Sequence, residues 1–144
     1  MQSAEEKDHI VVKLDDGEDV FISLDKVIEK HGIDSALILT GIGMLKDFEI
    51  GYYNGKNYII ERFVDPMELL SMHGSIARGK ENRVHIHVGL ANKEHKVFGG
   101  HLMSAKVCVL NEIVLLRMNE INLTRKLNQK SGLMELEVSE GKKG

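Results

Sequence analysis

Residues 45–63, LKDFEIGYYNGKNYIIERF, constrain the fold more than any other part of the chain. Asn54-Gly55 stands near the centre, flanked by Tyr52, Tyr53, Tyr58, Ile59 and Ile60. Asn-Gly is the dipeptide that a type I′ turn favours, because both central residues take positive φ. Aromatic and β-branched residues on either side suit strands. The spacing predicts a β-hairpin closed by a type I′ turn.

The rest of the chain repeats short extended runs. Residues 9–14 (HIVVKL), 35–41 (SALILTG), 67–77, 83–90 (RVHIHVGL) and 105–118 (AKVCVLNEIVLLRM) read as strands. Residues 15–19 and 92–95 read as turns, and 123–138 as two extended pieces around NQKSG. Gly41 and Gly43 are expected to make a bend between strands. One helix stands out in SLDKVIEKHG. Leu24, Val27, Ile28 and His31 recur at i, i+3, i+4 and i+7, with Ser23 as the expected N-cap and Gly32 just past the end. The predicted class is α+β: one compact domain with a mainly antiparallel sheet and a single clear helix near the N-terminus. Residues 9–138 form the domain, and flexible segments are expected at 1–8 and 139–144.

The chain has 144 residues and a formal net charge of −3. A protein that lives on phosphate contacts usually carries a basic surplus. Here Arg117, Arg125, Lys126, Lys130, Lys142 and Lys143 make only the end of the chain locally basic. Cys108 is the single cysteine and lies in an apolar run, so a buried reduced thiol and a cytoplasmic location are expected. No apolar run approaches the roughly 20 residues of a membrane helix, so no membrane partner is expected.

The segment from Arg83 to Met103 holds four of the seven histidines. On a strand, His85 and His87 project to one side while Val84, Ile86 and Val88 project to the other. A short turn then returns the chain to Gly99-Gly100-His101, where two glycines allow close backbone approach. Three imidazoles with an open fourth position describe an exchangeable or catalytic zinc site. Solvated histidines, or histidines bonded to a neighbouring subunit, fit the same pattern. His73 reads as a candidate fourth ligand, as a group supporting the ligands, or as a polar residue at a strand end. His95 reads as a turn residue, and His31 as a complement to the helix dipole.

Glu112 interrupts an apolar run and needs a partner. It is a candidate to orient a ligand imidazole, to act as a general base, or to pair at a subunit interface. Glu68 is the second catalytic candidate. GIGMLKD lacks the G-K-[ST] of a phosphate loop, no G-x-S-x-G elbow occurs, and the surroundings of Cys108 do not suit a nucleophile.

The order of LDDGEDV, HGIDSALILTGIGMLKDFEIGYY, DPMELLSMHGSIA, VHIHVGLANKEHKVFGGHLM, NEIVL and SGLMELEV resembles the plants-and-prokaryotes conserved domain, the PPC or DUF296 domain, over about residues 9–138. The resemblance implies a mainly antiparallel domain that assembles as a homotrimer, in a stand-alone prokaryotic form. It also implies a zinc or similar divalent ion on the H-x-H and G-G-H histidines, His85, His87 and His101. In plant members the domain follows an AT-hook, R-G-R-P, which grips DNA. This chain contains no R-G-R-P. His73 stands where the family usually has a small residue, and His95 where the turn usually has glycine.

Three functions are consistent with these features. The first is a homotrimeric metal-binding protein of regulatory role, with a small ligand or protein partner at the metal. The second is a metal-dependent enzyme with a zinc-activated water and Glu112 or Glu68 as proton acceptor. The third is a transcription-associated protein. The net charge and the missing R-G-R-P lower the third and predict weak or absent DNA binding, while the lack of a further catalytic motif lowers the second.

Overall fold

The computed structural model describes residues 1–81 and 83–141. Its elements are β1 (Gln2–Glu6), β2 (His9–Asp15), α1 (Val20–Lys30), β3 (Ala36–Tyr53), β4 (Tyr58–Phe63), β5 (Met67–Ile76), β6 (Val84–Ala91), β7 (Val97–Arg117), β8 (Ile121–Leu127) and β9 (Met134–Glu140). Every strand pairing is antiparallel, as the α+β reading requires.

Two strands organise the sheet. β3 has 18 residues and β7 has 21, and they pair from Ala36 opposite Arg117 to Gly51 opposite His101. β5 lies on the far edge of β3, and β6 lies between β5 and β7. The pairings β3–β5–β6–β7–β3 therefore close a ring. Strands so long must bend to close one, and register shifts at Ile38/Thr40, Gly43/Met44, Lys46/Glu49 and Glu49/Ile50 supply the bends. Gly41 and Gly43 thus curve one strand rather than link two. Gly43 has φ +135°, and a Cβ there would lie 2.1 Å from the Leu110 carbonyl oxygen.

α1 starts earlier than the sequence suggests. Asp19, not Ser23, is the N-cap, and its carboxylate accepts from the Ile22 N–H at 3.0 Å. The apolar stripe extends back to Val20, so Ser23 lies buried inside the first turn. Val20, Leu24, Val27 and Ile28 join Ile10, Val12 and Leu14 of β2 in the core. No described helix is long and apolar enough to cross a membrane.

The β3–β4 hairpin forms as expected, with a different turn. Tyr53 pairs with Tyr58, which leaves four loop residues. Gly55 takes φ +94°, and Asn54 does not take a positive φ. The Asn54 carboxamide instead accepts from the N–H groups of Lys56 and Asn57, at 3.0 and 2.9 Å. The side chain builds the turn that the backbone was expected to build.

The N-terminal segment expected to be flexible forms β1, an edge strand on β2. Lys30 donates to Ser3, and Arg117 pairs with Glu5 at 2.9 Å. His31 does more than face the end of α1, since its ring bonds Ser3 and Glu5 at 2.9 and 2.8 Å. At the other end, Ser139 and Glu140 belong to β9 rather than to a free tail. Residues 142–144 of the expected tail, including Lys142 and Lys143, lie outside the described residues.

Gly74 marks a close approach between β5 and β6. A Cβ there would stand 1.9 Å from the His85 carbonyl oxygen, which is backbone and has nowhere to move. Gly74→Ala is expected to lower unfolding stability by roughly 3 kcal/mol, measured by urea titration.

Candidate metal centre

Three strands set the histidines side by side. His73 of β5 pairs with His87 of β6, and His87 pairs with His101 of β7. Directly opposed residues of antiparallel strands project to the same side. His85, two residues from His87, joins that side. The hairpin loop of residues 92–96 fixes the register. The Asn92 carboxamide accepts from the N–H groups of Glu94 and Lys96, both at 3.0 Å. His95 takes φ +61°, the left-handed conformation that glycine usually supplies.

The glycines before His101 have a packing reason. A Cβ on Gly99 would lie 2.7 Å from the Val88 carbonyl oxygen, and one on Gly100 would lie 2.8 Å from that of Gly51. β7 is clasped between β6 and β3 here, and side chains would push the sheet apart.

The result is a compact cluster. His85, His87 and His101 each offer a nitrogen, all within 4.8 Å of one another. The His85 and His87 Nε2 atoms are 3.2 Å apart. Two imidazoles on a tetrahedral zinc, with bonds of 2.0–2.1 Å, hold their nitrogens roughly 3.3 Å apart. The observed spacing suits a small divalent ion. The Nδ1 of His101 is buried and has no hydrogen-bond partner among the described residues. The donor set is nitrogen alone, and two of the three rings are disfavoured as imidazolium. Burial, then His101, Arg125 and His87, pushes His85 down to about 4. Burial, then His87 and Arg125, lowers His101 as well. Neutral imidazole keeps the lone pair that a metal needs.

The cluster opens on a cavity of about 530 Å³, lined in part by Tyr58, Val84, His85, His101, Arg125 and Met134. The Tyr58 ring lies 5.0 Å from that of His101. In the sequence Arg125 stands among several basic residues near the chain end. Its signal was the alternation of β8: Leu123 is buried, and Arg125 shares its face. The guanidinium donates to the Ser75 hydroxyl at 2.8 Å.

Other predicted site residues lie elsewhere. His73 stands in the histidine row, but its ring turns away and bonds the Leu39 carbonyl at 2.9 Å. Glu112 is exposed, with its Cα opposite Lys13 and Ile42 and eleven residues beyond His101 on β7. It therefore cannot stand behind a ligand imidazole of its own chain. The buried polar residue of that run is Asn111, fully enclosed and donating to the Met44 and Leu110 carbonyls. Val107, Asn111, Ile113 and Leu115 share the core-facing side of β7, so Glu112 lies on the opposite, outward side. Glu68 is exposed too, five residues from His73 along β5.

The lowered His85 value has a consequence for the metal-free protein. An unfolded chain takes up this proton near pH 6.5, and the folded chain only near 4. Protonation therefore favours unfolding, and the contribution present above pH 6.5 is lost as pH falls through about 4. The urea midpoint of chelator-treated protein is expected to decline across that window, with a flatter decline in His85→Asn. Equal declines would contradict the assignment.

The fold has relatives among known proteins. A plant- and prokaryote-conserved protein of Pyrococcus horikoshii is 32% identical, with 94% of each chain covered and a TM-score of 0.80. A metal-containing protein of Archaeoglobus fulgidus is also 32% identical, covering 91% of this chain and 94% of its own, with a TM-score of 0.78. The chain is 24% identical over 130 residues to the bifunctional protein GlmU of a Synechococcus strain, and it spans about a fifth (20%) of that protein's length. Residues 1–119 match the Plants and Prokaryotes Conserved (PCC) domain. The chain belongs to the Plants and Prokaryotes Conserved domain family.

Proposed function

We propose that this protein binds a divalent metal ion, zinc foremost, through His85, His87 and His101, and that it acts as a homotrimer with a regulatory, ligand-sensing role. The observation that carries the reading is the convergence of three imidazoles within 4.8 Å on one sheet face. The likeness to a metal-containing protein of Archaeoglobus fulgidus supports it. A zinc ion held by three imidazoles supplies a Lewis-acidic centre with room for one ligand from outside. Glu112 and Glu68 lie away from the histidines, which favours ligand binding over catalysis.

The trimer draws its support from the surface. β8 and β9 form a separate two-stranded sheet, and such a sheet is only marginally stable alone. Outside the cavity lining it exposes Ile121, Leu127 and Val138, with Val138 at 64%. An apolar patch of this kind calls for a covering partner, and a second copy of the chain meets that need. The number three rests on the family resemblance. DNA is not a partner in this reading, because the chain carries −3 and assembly multiplies that charge.

Elemental analysis is expected to find close to one divalent ion per chain in the native protein and far less in His87→Ala. Equal content in both would remove the site. Light scattering is expected to give three times the 16.2 kDa chain mass, and a monomer mass would reject the assembly.

A further inference from the structure

We propose that the cavity beside the histidines is a binding site for a small organic carboxylate, with Arg125 as the residue that receives its carboxylate group. The inference rests on the metal reading and extends it to the class of ligand.

Arg125 is the reason. Its guanidinium is half-buried, and a buried cation ordinarily has an anion beside it. Among the described residues it makes no ion pair. One of its nitrogens donates to Ser75, and its Nε is buried without a partner. Burial lowers its pKa, as expected for a cation held in place without a counter-charge. The neighbouring groups do not supply one. His85 and His101 border the same cavity, and an imidazole is no anion in either form. Glu135 is the acidic residue of the wall, but its carboxylate is held by Ser131 at 2.7 Å and Asn128 at 2.8 Å.

A divalent ion on the histidines would add a second centre of positive charge to the same half-enclosed space. No carboxylate of the described residues pairs with Arg125, so what the cavity lacks is a counter-ion at that guanidinium. Arginine presents a planar fork that matches a carboxylate. The other walls choose between an inorganic anion and an organic one. Val84, Leu133, Met134 and Leu136 are apolar, and Tyr58 adds a ring face. About 530 Å³ is far more than a bare anion fills and is in the range of small-molecule sites. The lining fits a carboxylate with an apolar body.

The test uses the full chain loaded with Co²⁺, whose visible spectrum reports changes at the ion, together with calorimetry. Butyrate is the probe, and inorganic phosphate is the competitor in class. Butyrate is expected to shift the spectrum saturably. Arg125→Gln should weaken that binding at least tenfold at unchanged Co²⁺ content, with Arg125→Lys in between. Circular dichroism identifies a variant that fails to fold, and Ser75→Ala, which frees the guanidinium without removing it, should retain at least a third of the affinity. Equal butyrate affinity in native protein and Arg125→Gln would overturn the inference, as would a response to phosphate and none to butyrate. Failure of native protein to hold Co²⁺ would show in the metal content itself. That result would overturn the metal reading and this inference with it, whereas full Co²⁺ with no butyrate response overturns this inference alone.

Discussion

A slip of one residue between β6 and β7 would turn His101 to the opposite side of the sheet and leave His85 and His87 without a third neighbour. The register that prevents this pairs His87 with His101. Two devices hold it. The Asn92 side chain ties the five-residue loop, and Gly99 and Gly100 allow β7 to run against β6 and β3 at once. Gly74 performs the same service between β5 and β6. The histidine cluster thus depends on backbone spacing more than on any contact of the histidines themselves.

That spacing also sets the electrostatics. His85 and His101, half-buried on one sheet face, resist protonation, because each charge would meet little water and close imidazole neighbours. An arginine on β8 faces the same cavity and strengthens the effect. The rings are therefore ready to act as ligands at neutral pH. A divalent ion would replace their mutual repulsion on protonation with shared coordination, and its binding would stabilise the fold.

Much of this was legible in the sequence. Period-two alternation in RVHIHVGL placed His85 and His87 together, and the short turn before GGH brought His101 back. What escaped depended on tertiary packing. The run around Glu112 is apolar on both faces, and only the packing shows that Val107, Asn111, Ile113 and Leu115 face the core while Glu112 faces outward. Asn54-Gly55 marked a hairpin, but the four-residue loop formed through the asparagine side chain. β1 was missed because QSAEE has no apolar alternation, and its order comes from Lys30, His31 and Arg117, distant in sequence. Arg125 was obscured by the basic residues around it, since only tertiary packing brings β8 over the histidines.

X-ray absorption spectroscopy of the zinc-loaded protein tests the central claim most directly. Three imidazoles predict a shell dominated by nitrogen at about 2.0–2.1 Å, with the outer-shell scattering of three rigid rings. The same spectrum from His101→Ala should lose one ring. A shell of oxygen alone, or one unchanged by that substitution, would contradict the account.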